Sequence, residues 1–313
     1  MKIGDSGVAV VALQAALIRL NYYLPRYGAD GWYGEETDTM VEQFCIDHDF
    51  VKQNHTVPIH AIERIHTLAA AYSDGLPECF EDTRKRHRAA KRGPKRSWAN
   101  VTGITLHQTA CCFLDHDELD GAKVSRAIDR VSNIGVHHVI LRNGVSVWSN
   151  GYEHRMPQAQ RWFNRYDVGV EIDGWFAGVE GDESTLWQPK NSKREEMMLT
   201  PAQLVAALET CVFIVKEVAR HGGRVRFVHA HRQTSRTRMS DPGSQIWKCI
   251  ATPLMQEFNL SDGGDGYFVP HSKNAHHYGG RGTTKGPGRP IPREWDSSRS
   301  HYSYRDTLET PDC

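Results

Sequence analysis

Three short segments of this chain alternate apolar and polar residues, and each delivers a side chain able to hold a metal or move a proton. Val101-Thr-Gly-Ile-Thr-Leu-His107 reads as a strand with Thr105 and His107 on one face. Val168-Gly-Val-Glu171-Ile-Asp173 places Gly169, Glu171 and Asp173 on one side, and Arg224–Ala230 reads as the strand that delivers His231, with His229 two residues earlier on the same face. A period of two reads as strand in each of them. Helical patterns lie between them. Thr200-Pro-Ala-Gln203 is a capping box with Pro at the first helical position. Leu204, Ala207, Leu208, Cys211, Val215 and Val218 then recur at helical spacing until Gly222. His138–Arg142 and Val145–Trp148 flank Asn143-Gly144, which predicts a hairpin with a type I′ turn. The expected fold is α/β, a mixed central β-sheet flanked by helices.

His107, His231 and Asp241 are the candidate metal ligands. Two imidazoles and one carboxylate suit a catalytic zinc, which keeps its fourth position open for water. A His and an Asp ten residues apart carry little weight alone, but their setting does. His107 lies in Ile104-Thr-Leu-His107-Gln-Thr109-Ala, Glu171 in Val168-Gly-Val-Glu171, His231 after a strand, and Asp241 in Asp241-Pro242-Gly243. These four segments, in this order, resemble the zinc N-acetylmuramoyl-L-alanine amidases, the group that includes peptidoglycan recognition proteins and many bacteriophage endolysins. The resemblance spans roughly residues 98 to 255. It implies the amidase type 2 fold, one Zn2+ on His107, His231 and Asp241, and Glu171 as the catalytic acid and base. It further implies substrate contacts from His137, His154 and Thr109.

Two positions depart from the family pattern. The Lys often found two residues before the metal Asp is Met239 here, so Arg238 beside it is the candidate to stabilise the oxyanion. The Tyr that one branch carries before the strand His is Val136, which leaves Glu171 as the proton carrier. His229 is a decoy for His231, and His48, His55, His60, His116, His271, His276 and His277 read as surface residues.

Residues 1–70 read as a small three-helix bundle. Val10, Leu13, Leu17 and Leu20 follow the Asp5-Ser6-Gly7 cap region, and Thr37 is a candidate cap for a second helix with Met40, Val41 and Phe44. The run Gln14, Asp30-Gly-Trp32-Tyr-Gly34, Thr37, Val41 and Phe44 resembles the peptidoglycan-binding domain found beside many wall hydrolases, although Cys45 replaces the usual Gln. This resemblance implies wall contacts from Asp30 and Trp32, in a module separable from a catalytic domain beginning near Ser97. Residues 71–97 form a basic linker, with Arg84, Lys85, Arg86, Arg88, Lys91, Arg92, Lys95 and Arg96. It reads as a solvated connector, or else as a patch for anionic polymer. The catalytic domain is expected over 98–260. A Gly/Pro/His-rich tail fills 261–313, with Ile291–Trp295 as a segment that could dock.

Lys+Arg and Asp+Glu are both 38, so no global charge points to nucleic acid. Seven cysteines without a CxxC pair suggest reduced thiols. The first residues lack an apolar core of signal-peptide length, and no stretch approaches the ~18 apolar residues of a membrane span. The expected protein is a monomer made in the host cytoplasm. It acts on peptidoglycan after release and binds no specific nucleic acid. The alternatives are a recognition protein that binds peptidoglycan without cutting it, and a virion-associated wall-binding protein.

Overall fold

The structure is a computed structural model that describes residues 1–20, 22, 24, 26–51, 56–71, 77–84, 93–118, 120–159, 161–187, 194–235, 237–264, 288–298 and 303–305. Three N-terminal helices, α1 (Val8–Arg19), α2 (Glu35–Asp47) and α3 (Ile59–Ala71), precede a six-stranded mixed sheet. Its strands are β1 (Phe80–Asp82), β2 (Gly103–Gln108), β3 (His138–Ile140), β4 (Ser146–Trp148), β5 (Asp167–Ile172) and β6 (Phe227–Ala230). They lie in the order β1-β4-β3-β5-β2-β6, with β3 and β4 antiparallel and the other neighbours parallel. The helices between are α4 (Gly121–Val131), α5 (Arg161–Tyr166) and α6 (Pro201–Arg220). A continuous helical run follows from α7 (Ser244–Ile246), through a wider turn at Trp247–Ala251, to α8 (Thr252–Phe258).

The two faces of the sheet differ as the alternation predicts. Ile104, Leu106, Val168, Val170, Ile172, Val228 and Ala230 are buried in the main core with Leu204, Leu208, Cys211 and Trp247. The opposite face is polar over β2, β5 and β6. There α5 packs, with Phe163 stacked on His229 at 4.2 Å between ring centres. Helix α6 begins at the expected capping box, with Thr200 and Gln203 exchanging side-chain and backbone bonds, and Gly222 follows its end at a φ of 78°.

The hairpin turn differs from expectation. Gly144 has a φ of 87°, but Asn143 is not left-handed, as type I′ would require. Gly144 N–H instead donates to Leu141 O and Leu141 N–H to Val145 O, both at 2.9 Å. This is the three-residue solution, a tight turn closed by a left-handed glycine. Thr37 does not cap α2 either. It lies inside the first turn, buried, with its hydroxyl accepting from Gln14 Nε2 at 2.9 Å, and Gly34 takes the cap position.

The bundle is joined to the sheet domain through a shared core. Val10, Leu13, Ala16 and Leu17 of α1 pack with Val41, Phe44 and Ile65. On its other side, Val11, Ala15 and Ile18 enter the main core, and α1 contacts α6 and α8. The sequence VAVVALQAALIR is apolar nearly all round, the pattern of a helix buried on both sides. Part of the expected linker is structural as well. Phe80–Asp82 is the edge strand of the sheet, paired with β4. Arg84 stacks over Trp148 at 3.4 Å and pairs with Asp82 at 2.7 Å. Arg96 is buried, donating from Nε to Tyr152 O at 2.9 Å. Lys85, Arg86, Arg88, Lys91 and Arg92 lie outside the described residues, as do His55, His271, His276 and His277.

Two pieces of the C-terminal tail dock. Ile291 and Trp295 join the main core, and Trp295 Nε1 donates to Gly178 O. Tyr304 covers Gly178, where a Cβ would collide with its ring. The Arg232 guanidinium lies between Trp295, at 4.9 Å, and Tyr304, at 5.2 Å.

Candidate metal centre and active site

Strand register builds the site. Asp167 pairs with Gly103, Gly169 with Thr105, and Glu171 with His107, while Thr105 also pairs with His229. Residues two apart share a face, so these side chains form a polar ladder on one side of the sheet. On the lower rung, Asp167 Oδ2 accepts from Thr105 Oγ1 and meets His229 Nδ1, both at 2.7 Å. His229 is thereby committed to the fold, away from the candidate ligands.

On the upper rung the structure brings His107, His231 and Asp241 together. His107 Nδ1 lies 3.0 Å from His231 Nδ1, which lies 3.0 Å from Asp241 Oδ2. The donor atoms of the three residues all fall within 4.8 Å of one another, and the residues are buried. Burial and then the neighbouring His231 push His107 down to about 3, so its ring is neutral, the form that binds a metal. Burial alone would raise Asp241, but His231 and His107 hold its carboxyl below the usual range.

The segment after β6 places the last two candidate ligands, His231 and Asp241. The Ala230 N–H donates to Gln233 Oε1 at 2.9 Å and the Thr234 hydroxyl to His231 O at 2.8 Å, which closes a tight turn at the strand end. Gly243 has a φ of 105°, and a Cβ there would stand 2.6 Å from Phe176 Cβ. Asp-Pro-Gly therefore ends on the one residue that lets the chain pass Phe176. Gln108, which the sequence reading did not single out, ties these pieces together. Its N–H donates to Asp241 Oδ1 at 3.1 Å, its Oε1 accepts from Phe176 N–H at 2.8 Å, and its Nε2 donates to Phe176 O and Ser240 O. Its position directly after His107 was the one available signal.

Glu171 stands on the same rung. Its Oε2 is buried without a hydrogen-bond partner. Burial, and then the Asp241 charge, push its carboxyl well above the usual range, while Arg238 opposes the shift. Arg238 Nη1 lies 4.0 Å from Asp241 Oδ2, and its side chain is partly exposed at the rim. Met239 contributes its carbonyl to Arg232 Nη1 at 2.6 Å.

The remaining candidates are held by protein partners. His137 is fully buried, with Nδ1 accepting from Gly169 N–H at 2.9 Å and Nε2 3.0 Å from His154 O. Both ring nitrogens are thus engaged. His154 Nδ1 faces Gly93 O at 3.3 Å, and Nε2 lies 3.6 Å from Glu153. The Thr109 hydroxyl sits 2.8 Å from Cys111 O and 3.1 Å from Asp173 Oδ1, and it accepts from Gly174 N–H at 3.1 Å. In the bundle, Asp30 braces its own turn through Gln14 Nε2 at 2.8 Å and Trp32 N–H at 2.9 Å. Trp32 is 55% exposed, so its ring is available to a ligand.

Residues 97–244 match the family model N-acetylmuramoyl-L-alanine amidase. Similar solved structures include the endolysin N-acetylmuramoyl-L-alanine amidase LysCS from Clostridium intestinale, 15% identical, with a TM-score of 0.38 and coverage of 59% of this chain and 98% of that one. The Ph2119 endolysin of a Thermus scotoductus bacteriophage is 18% identical, with a TM-score of 0.35 and coverage of 56% and 97%. Drosophila peptidoglycan recognition protein SA is 14% identical, with a TM-score of 0.39 and coverage of 58% and 92%. No curated protein sequence matches the chain. The family match takes in His107, Glu171, His231 and Asp241, the residues that the sheet register and the turn after β6 assemble on one rung, and residues 97–244 of this chain are a domain of the N-acetylmuramoyl-L-alanine amidase family.

Proposed function

We propose that the protein is a zinc-dependent N-acetylmuramoyl-L-alanine amidase, which hydrolyses the amide between N-acetylmuramic acid and L-alanine in peptidoglycan. The observation that carries this reading is the convergence of His107, His231 and Asp241 beside Glu171. The donor set fits zinc: two imidazoles and a carboxylate, with the fourth position left to solvent or substrate. When bound, zinc would lower the pKa of a water to about 7 and polarise the scissile carbonyl.

The chain's own residues do the rest. Glu171 accepts the proton of the attacking water and returns it to the amine of the departing L-alanine. Its raised proton affinity suits an acid–base role. Arg238, at the rim, is the cation placed to meet negative charge developing on the carbonyl oxygen. Gln108 holds Asp241 in place through its backbone N–H. The bundle supplies wall affinity in this reading, with Trp32 as its exposed aromatic. The proposed setting is bacteriolysis of the endolysin kind, which fits the pairing of such a bundle with the amidase domain. Among the described residues no helix is long and apolar enough to cross a membrane.

Mass spectrometry of peptidoglycan digested with the zinc-loaded protein tests the reading. The expected products are stem peptides with a free L-alanine amine, together with glycan carrying unsubstituted lactyl groups. Tight binding to sacculi without any cleavage would replace the hydrolase with a recognition protein.

A further inference from the structure

Gln158 occupies the rung of the polar ladder between Asp167 and His107. Its Nε2 donates to Asp167 O at 3.2 Å, which fixes the direction of the carboxamide. Its Oε1 then projects over Gly169, where a Cβ would collide with it. Gly169 pairs in register with Thr105, one rung below the His107–Glu171 pair. Gln158 and His107 are thus neighbours, and the carboxamide interacts with the imidazole.

His107 turns Nδ1 toward His231 and Asp241, at 3.0 Å and 4.0 Å. Its other nitrogen, Nε2, is buried. Neither His107 Nε2 nor Gln158 Oε1 is in full hydrogen-bond geometry with any protein group. The two leftover atoms are complementary. An imidazole that ligates through Nδ1 carries its proton on Nε2, and that N–H requires an acceptor. A buried donor left without one is destabilising. Gln158 Oε1 is the acceptor that faces it.

We propose that Gln158 is the positioning residue for His107: its Oε1 accepts the Nε2–H, fixes the tautomer that offers Nδ1 to the metal, and sits where it does because residue 169 has no side chain. This rests on the metal site assigned above. It predicts a dependence of metal affinity on a residue that touches neither metal nor substrate.

The test compares zinc affinity of the full chain by chelator competition, with cobalt(II) absorption as a second readout of ligand geometry. Gln158→Met keeps the length and removes the acceptor. Gln158→Glu restores an acceptor. Gln158→Met is expected to weaken zinc binding by about 10–100-fold, the usual effect of losing such a partner, and to alter the cobalt bands. Gln158→Glu should retain most of the affinity. Equal affinity in all three proteins, or equal loss in both variants, overturns the proposal. Should Gln158→Met not fold, Gly169→Ala displaces the carboxamide from its seat, and unchanged zinc affinity there overturns it too. Failure of the parent chain to bind zinc would instead remove the metal site itself.

Discussion

The backbone N–H of Gln108 donates to Asp241 Oδ1 at 3.1 Å, while the other oxygen of that carboxylate faces His231 at 3.0 Å. The strand that carries one candidate ligand therefore also aims another. The carboxylate cannot rotate without losing one of two charge-assisted contacts.

His231→Ala and His229→Ala should separate two kinds of histidine. The first is expected to abolish zinc retention and cleavage. The second should leave zinc stoichiometry intact yet destabilise the fold, because Asp167 loses a buried partner. Leaving a buried polar group without its hydrogen-bond partner costs about 1–3 kcal/mol. Zinc analysis and urea unfolding of both variants check this, and loss of zinc in His229→Ala alone would reverse the assignment.

Glu171→Gln preserves shape and removes the proton acceptor. Zinc content should stay near stoichiometric while turnover of purified muropeptide falls by about 10²–10⁴, the range for losing a general base. Normal turnover would mean that another group moves the proton, and loss of the metal would mean that Glu171 supports a ligand.

Asp173 gives a pH signature. Burial pushes it up to about 6, against the hydrogen bonds it accepts from Phe113 N–H and Thr109. The folded chain then holds this proton more tightly than the unfolded chain, whose ordinary value is 3.8. The contribution to stability is full below that value and is lost as pH rises to about 6. Asp173→Asn should flatten unfolding free energy across this window. A variant with the parent's slope would assign the dependence to other groups.

A chain that starts at Ser97 is expected to fold poorly. It loses β1 and uncovers the surfaces of α6 and α8 that Val11, Ala15 and Ile18 cover. Thermal melting and light scattering check this. A truncated chain that melts like the parent would show that the two cores are energetically independent after all.

The ladder was legible in the sequence because strand alternation is local: Thr105 and His107, or Gly169 and Glu171, need only a period of two. The capping box of α6 was legible for the same reason. Gln158 was not, since its importance depends on a cross-sheet neighbour without a side chain. Phe80–Asp82 is too short to show a period, and its basic surroundings suggested a linker. His137 shows the complementary limit, because sequence position gives the strand but not the backbone groups that face both of its nitrogens.

Double-sided burial of α1 fixes more than stability. A bundle on a flexible tether would sample a volume around the candidate metal centre. One that shares a core with the sheet holds Trp32 at a constant offset and orientation from His107, His231 and Asp241. Under the proposed function, a lattice gripped by the bundle would be presented to that centre in a single register, and the molecule would act as a gauge that selects which of many identical bonds in a repeating polymer lies within reach.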